Sequence, residues 1–489
     1  TEVMTHLIHQ LCVSGLDLYE AVFQATKRLK GLYAIAVMRA DEPHHIIGAR
    51  QGAPMLIGVG ERGNYIASDT SALLSETRDV IYLEEGDVVE ITVDAHRIRA
   101  ASGEFVEREI HTSELSADAV SLGLYDHYMQ KETFEQPEVV ANTLEMVSGA
   151  KSISPQLFGA SALELFPDIT NILILACGTS YHAGMVARYW LEDVAGVRTN
   201  VEIASEYRYR KSVAQANTLI ITISQSGETA DTIAALQHAK ELHNGLSAVT
   251  LSICNAPESA LTRQSQLKFL TRAGPEIGVA STKAFTTQLS SLFVLTLVLA
   301  KVNGRLSTAQ ETEYLKQLRH LPVAMQQVLL LEEEIKPWAK AFAAHNHALF
   351  LGRGIHWPVA MEGALKLKEI TYIHAASYAA GELKHGPLAL VDEHMPILAI
   401  APNDALIEKL KSNLQEVRAR AGQLYIFADR DTLIESGEGI HVINLPDHAG
   451  LLSPILHTLP LQLLSYHTAL ERGTDVDKPR NLAKSVTVE

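Results

Sequence analysis

Hydrophobic positions along the chain fall into two regimes. Up to about residue 115, apolar residues recur with helical spacing over 3–11 and 16–29. They then switch to short runs at 31–38, 45–49, 55–59, 64–67, 80–83 and 87–93, punctuated by Gly, Pro, Asp and Asn. This predicts two helices followed by mostly antiparallel strands, an α+β layer structure. Residues 115–137 are polar and helical without strand pattern, a linker region that docks onto the next domain. Beyond it come short, wholly apolar runs at 172–176, 219–223, 248–253, 348–351, 397–401 and 424–427, each followed by a helical stretch or loop. Apolar strands between helices predict an α/β fold with parallel sheets covered on both faces.

A weak internal repeat organises the second regime. Leu173-Ile174-Leu175-Ala176-Cys177-Gly178 resembles Leu349-Phe350-Leu351-Gly352-Arg353-Gly354, an offset of 176 residues (173 to 349). Ile203-Ala204-Ser205-Glu206-Tyr207 answers Ala375-Ala376-Ser377-Tyr378 loosely. The distance to the next strand end agrees as well: 46 residues from Gly178 to Ser224, 47 from Gly354 to Ala401. The division expected is 1–115, a linker at 116–149, a doubly wound domain at 150–306, a helical connection at 307–334, a second copy at 335–478 and a tail at 479–489.

Composition narrows the function classes. Of 489 residues, 47% are hydrophobic and 20% charged, as in ordinary globular chains. Forty-one Lys and Arg against 57 Asp and Glu leave a net charge of −16, which argues against a broad nucleic-acid surface and, less strongly, against anionic membranes. A local cationic site for a small phosphate stays compatible with it. Cys12, Cys177 and Cys254 form no disulfide framework and no zinc spacing, so reduced thiols in the cytoplasm are expected. The apolar run 289–300 contains Ser290, Ser291 and Thr296 and falls short of the ~18 residues of a membrane span, so it reads as a buried helix. The chain opens on Thr1 with neither an initiator Met nor a signal pattern, so it is expected to start inside a larger protein.

The most informative stretch is Ser224-Gln225-Ser226-Gly227-Glu228-Thr229. It follows a buried strand and opens a helix through Ala230, Ile233, Ala234 and Leu236, at the edge where ligands bind parallel sheets. Unpaired N–H groups of the first helical turn, three hydroxyls and an amide there suit a phosphate dianion, and Gly227 permits close approach. The plainer alternative is N-capping, worth ~1 kcal/mol. The Lys of a nucleotide-binding loop is missing. Cys177-Gly178-Thr179-Ser180 ends the preceding strand in the same way, and Gly278-Val279-Ala280-Ser281-Thr282-Lys283 is a third small-residue turn before a buried helix. Glu362, Lys366 and Glu369 share one helix face, by default a solvated, salt-bridged one. His385, between turn residues, has a side chain suited to proton transfer near neutrality. The C-terminal segment with Pro479, Arg480, Asn481 and Lys484 has no period and is either a frayed end or a strap over a site.

Taken together in order and spacing, the stretches 177–180, 224–229, 276–285, Glu369 with 382–390, and 479–489 resemble the bacterial glutamine–fructose-6-phosphate aminotransferases (isomerising), the glucosamine-6-phosphate synthases. The resemblance covers essentially the whole chain. It implies two sugar-isomerase domains behind a partial glutaminase domain of the N-terminal-nucleophile type, and a cytoplasmic homodimer. It implies fructose 6-phosphate as substrate and glucosamine 6-phosphate as product, without metal or redox cofactor. By motif, Ser224, Gln225, Ser226 and Thr229 hold the sugar phosphate, helped by Thr179 and Ser180, while Val279 and Ser281 touch the sugar. Glu369 moves a proton between the first two sugar carbons, His385 assists ring opening, Lys484 forms an imine with the ketone carbon, and Lys366 positions the proton chemistry. The family's glutaminase nucleophile is an N-terminal cysteine. Here residue 1 is Thr, and Cys12 lies in helical text and reads as a buried helix cysteine. Glutamine is therefore expected as a partner only of a full-length protein. A non-catalytic sugar-phosphate-binding regulatory module is the alternative, and a simple aldose–ketose isomerase a third for which residues 1–115 have no purpose.

Overall fold

The structure, a computed structural model, describes residues 2–113, 121–446 and 449–484, and all counts are of those residues. The chain forms two compact units, the first from residues up to Ser121 together with 228–230 and the second from 122–227 and 231–484. The first begins with helices Glu2–Val13 and Leu18–Thr26, the second of them capped by the Asp17 carboxylate, which accepts the Glu20 N–H at 2.7 Å. Nine strands come next: β1 (Tyr33–Arg39), β2 (Glu42–Gln51), β3 (Leu56–Gly60), β4 (Gly63–Ala67), β5 (Asp79–Tyr82), β6 (Val88–Ile91), β7 (His96–Arg99), β8 (Phe105–Val106) and β9 (His111–Thr112). They make two antiparallel sheets, β1-β2-β6-β7-β8 and β4-β3-β5-β9. The apolar stripe Ala21, Val22, Phe23 and Ala25 packs on Ile47, Ala49 and Val88 of the first sheet. The α+β expectation for this region holds. Cys12 is half-buried on its helix, less enclosed than expected.

The second unit carries two parallel sheets of identical topology. The first is ordered β11-β10-β12-β13-β14, from β10 (Asn171–Ala176), β11 (Arg198–Ile203), β12 (Thr218–Ser224), β13 (Ala248–Cys254) and β14 (Leu267–Leu270). The second is ordered β16-β15-β17-β18-β19, from β15 (His347–Gly352), β16 (His374–Ala379), β17 (Pro396–Ala401), β18 (Gln423–Asp429) and β19 (Ile440–Leu445). The six expected apolar strands are β10, β12, β13, β15, β17 and β18. The four outer strands β11, β14, β16 and β19 lack a continuous apolar run because an edge strand has only one neighbour to bury it.

The 176-residue offset extends to the edge strands. Ala176 pairs with Ile203 and Gly352 with Ala379, so the two edge strands end in register. The loose match of 203–207 to 375–378 is thus misplaced: the counterpart of Ile203 is Ala379. Helix Lys283–Val302 is long and apolar enough to cross a membrane, yet 89% of its most apolar window is buried inside the protein. Its hydroxyls are satisfied within the helix, Ser290 donating to the Thr286 carbonyl at 2.8 Å and Ser291 to Thr287 at 2.7 Å. Helices Tyr128–Phe134 and Gln136–Thr143 of the expected linker bury Met129, Glu132, Val139 and Val140 in this unit.

Candidate active site

In the first parallel sheet the chain leaves β10 for β11 on one side and returns to β12 on the other. The switch point therefore lies between β10 and β12, where ligands bind outside the carboxyl ends of the strands. The two turns that flank it are Cys177-Gly178-Thr179-Ser180 and the loop from Ser224. Helix Gly178–Trp190 starts directly behind Cys177, which puts Thr179 and Ser180 in its first turn. Ser224 is buried, and its Oγ accepts the Gly227 N–H at 2.9 Å, closing the turn. Gly227 has φ +67°, and a Cβ there would overlap Ser259 and stand 2.7 Å from the Cys254 sulfur. The Asn255 N–H bonds the Gln225 carbonyl at 3.3 Å, tying the loop to the end of β13. Gln225 and Ser226 remain half-exposed, and Thr229 stands just before helix Ala230–Leu242.

A buried ionic cluster links this edge to helix His356–Thr371. Glu362 and Lys366 are each 1% exposed, so the solvated face expected from spacing alone is wrong for both: they turn into the protein. Lys366 Nζ lies 3.4 Å from Glu362, 2.6 Å from Glu369 and 3.2 Å from the Thr179 hydroxyl. Thr179 donates its proton to Glu362 at 2.9 Å, and His182 Nδ1 is 2.8 Å from the other carboxyl oxygen. The Thr179 hydroxyl is thus engaged with the cluster, a role that sequence reading did not foresee. Burial pushes the Glu362 carboxyl up, but Lys366 and His182 outweigh it and hold it below the ordinary carboxylate range. Burial pulls Lys366 down, and Glu362 and Glu369 more than reverse it, so this ammonium stays charged. Glu369, only partly buried at the end of this row, is the carboxylate most open to a ligand.

The third turn receives the C-terminal segment. Glu276 is buried, and its Oε1 accepts the N–H groups of Thr282 (2.9 Å) and Ala284 (3.0 Å) at the start of helix Lys283–Val302. Thr282, at the N-cap position, makes no side-chain cap, so Glu276 supplies it from six residues upstream. Lys484 Nζ lies 2.5 Å from Glu276 Oε2, 2.8 Å from the Gly278 carbonyl and 3.5 Å from Ser281 Oγ. Burial raises the Glu276 carboxyl; Lys484 and the backbone donors outweigh that and hold it low. Lys366 also feels the Glu276 charge, which joins the two clusters electrostatically.

The segment before Lys484 is anchored. The Asp477 carboxylate accepts the N–H groups of Tyr128 (2.9 Å) and Met129 (2.8 Å), and its carbonyl accepts the Val279 N–H at 3.0 Å. Arg480 stacks over the Tyr372 ring at 4.2 Å, and its N–H bonds the Tyr372 hydroxyl at 2.9 Å. The strap reading describes 475–484 better than the frayed end; 485–489 lie outside the described residues. His385 stands apart. It is exposed at the end of the 3-10 segment Ala380–His385, and among the described residues no hydrogen bond or ion pair joins it to Glu369, Lys366 or Lys484. Sequence reading assigned no role to Glu276, Glu132, His182 or Asp477. Apart from the Glu276 bonds to the Thr282 and Ala284 N–H groups, the partners described lie far along the chain, and no local spacing announces them.

Comparison with known proteins agrees with this architecture. The SIS domain model matches residues 165–298 and 341–472. Over its whole length the chain is 60% identical to the glutamine–fructose-6-phosphate aminotransferase [isomerizing] of Bordetella parapertussis, covering 79% of that protein. It is 57% identical to the protein of that name from Xanthomonas campestris pv. campestris, covering 80% of it. Among solved structures, the C-terminal domain of glucosamine-fructose-6-phosphate aminotransferase from Francisella tularensis superposes with a TM-score of 0.70 at 49% identity, covering 73% of this chain and 100% of that one. Two SIS domains in tandem and identity of this extent show that the chain belongs to the family of isomerizing glutamine–fructose-6-phosphate aminotransferases.

Proposed function

We propose that the chain makes glucosamine 6-phosphate from fructose 6-phosphate and ammonia, the first step of amino-sugar synthesis, in the cytoplasm and as a homodimer. Residues 1–115 are read as part of a glutaminase domain, 150–306 and 335–478 as the two sugar-isomerase domains, and 479–489 as the active-site tail. Glutamine is the ammonia source only where a glutaminase nucleophile is present.

The loop Ser224–Thr229, with Ser180, holds the phosphate through uncharged donors and a helix N-terminus. Val279 and Ser281 face the sugar. His385 exchanges protons between the ring oxygen and the anomeric hydroxyl, opening the ring. The neutral Lys484 amine attacks the ketone carbon, water leaves, and an iminium forms. Ammonia then displaces Lys484 as a free amine and leaves an imine at the second carbon. Glu369 takes a proton from the first carbon, giving an enaminol, and returns it to the second while the hydroxyl on the first carbon loses its proton and becomes the aldehyde, giving the amino aldose. Lys366, 2.6 Å from Glu369, keeps it in place.

The observation that carries this reading is the Lys484 amine seated on Glu276 and the Gly278 carbonyl, within the turn assigned to the sugar. A purely regulatory sugar-phosphate module has no need of that amine. Borohydride added to the chain with fructose 6-phosphate should fix a hexitol phosphate on the peptide carrying Lys484, read by mass. Lys484→Ala should lose the adduct and ammonia-dependent turnover while keeping sugar-phosphate affinity within about threefold. Turnover unchanged in Lys484→Ala would sink the imine role.

A further inference from the structure

Glu132 is a buried acid that this chemistry does not use. It projects from helix Tyr128–Phe134 and is 2% exposed. Its Oε1 accepts the Ile277 N–H and, at 3.1 Å, the Gly278 N–H. Its Oε2 is also buried, with no hydrogen-bond partner among the described residues. That oxygen lies against Gly278, where an added Cβ would stand 2.9 Å from it. Gly278 is the residue whose carbonyl takes the Lys484 amine. One face of this peptide segment is thus fixed by Glu132, and the other receives the reacting nitrogen.

An amide side chain would hold the same two N–H groups. Either side chain would leave one polar group unpaired in the interior, as the second Glu132 oxygen is, and would bear that cost. What an amide lacks is the capacity to ionise, and a charge gained there acts on Lys484. We propose that Glu132 is a positioning residue for Lys484: one carboxyl oxygen sets the turn that seats the amine, and the charge of the group sets when that amine releases its proton. The inference rests on the reading of Lys484 as the imine-forming amine.

The surrounding charges agree. Around Glu132 stand Glu276 and Lys484 from the turn and the tail, Lys283 from the long helix, and Asp477 on the N–H groups of Tyr128 and Met129. On its own element Lys131 and Glu135 pair at 3.4 Å, and Lys283 is neutralised by Glu135 at 2.9 Å. Burial, and then the Glu276 charge, push the Glu132 carboxyl up to about 8, with Lys484 pulling the other way. Near neutrality, Glu276 supplies the negative charge on the Lys484 ammonium, beside the Gly278 carbonyl. As pH rises past this value Glu132 ionises, adds a second negative charge, and makes Lys484 harder to deprotonate.

The test is the initial rate of borohydride trapping of fructose 6-phosphate on Lys484, from pH 6 to 10, in the 489-residue chain and in Glu132→Gln and Glu132→Ala. Glu132→Gln keeps an oxygen for the two N–H groups and cannot ionise. Its profile should follow the wild type below pH 7 and reach half-maximum lower by roughly half to one pH unit, the size of a carboxylate–ammonium coupling in a partly solvated interior. Glu132→Ala, which loses the two bonds, should trap at least severalfold more slowly throughout. The wild-type limb should be broader than a single titration, a reading that needs no variant. Superimposable wild-type and Glu132→Gln profiles, or a wild-type limb that fits one titration, would overturn the inference and leave Lys484's role standing. No adduct in the wild type would instead remove the reading of Lys484, and this inference with it.

Discussion

Lys366 illustrates what a single buried charge demands. An ammonium with 1% exposure has lost its water, so it persists only because Glu362, Glu369 and the Thr179 hydroxyl replace that water. Removing one partner leaves the charge undercompensated. Glu362→Gln should therefore destabilise the fold by about 3 kcal/mol, the range measured when one half of a buried pair is deleted. The pH dependence has a definite sign. The folded-state pKa of Glu362 lies below its ordinary 4.5, so its contribution is complete above that value and is lost as pH falls through the depressed one. Lys366 is shifted above its ordinary 10.5, so its contribution persists up to strongly alkaline pH. Urea unfolding of wild type and Glu362→Gln should show the full gap at pH 7 and a smaller one at pH 4. A gap equal at both pH values would mean that the Gln acts by shape rather than charge.

At the scale of elements, legibility followed burial. Strands with a neighbour on each side read as apolar runs, whereas β11 (Arg198–Ile203) and β16 (His374–Ala379) alternate with polar residues and pass unnoticed. The loop at Ser224 was legible because its donors are consecutive in the chain. The Glu276 cap was not, because it comes from six residues upstream of the N-cap position, and the Glu132 bonds were not, because they are made across the fold. Helix position alone also misled at Glu362 and Lys366: i,i+4 spacing says that two residues share a face but not whether water reaches it. The tail 475–484 shows the same limit, being aperiodic and held by specific bonds. Asp477 contributes three of them, two through its carboxylate and one through its carbonyl. Asp477→Ala removes the two carboxylate bonds, which also cap helix Tyr128–Phe134, at a cost of about 1–2 kcal/mol. Amide exchange at 478–484 should then rise at least tenfold and turnover should fall, while exchange in β10 and β12 stays unchanged. Unaltered exchange in the tail would show that the Tyr372–Arg480 stack anchors it without Asp477.

The whole second unit places two copies of one topology in a single chain, and only the first has the chemistry of an anion site at its switch point. Between β10 and β12 stand hydroxyls, an amide and a glycine turn. At the corresponding place between β15 and β17 the strand β17 runs into Pro402, Asn403 and Asp404. There the Asn403 N–H is already taken by the Asp429 carboxylate at 2.9 Å, and the Asn403 amide donates to Asp431 at 2.8 Å. Arg353, the cation nearest in sequence, spends one guanidinium nitrogen on Asn413 at 2.9 Å. A phosphate dianion entering this crevice would find the Asn403 donors already taken by the carboxylates of Asp429 and Asp431, which disfavours it there. The duplicated fold should thus bind one sugar phosphate per chain. Calorimetric titration with fructose 6-phosphate should give a stoichiometry near one. Ser226→Ala combined with Thr229→Ala should weaken that single event at least tenfold, while Asn403→Ala leaves it unchanged. Two equivalent binding events per chain, or a loss on Asn403→Ala matching the hydroxyl double variant, would mean that the second switch point is a working copy and that carboxylates there do not decide what it binds.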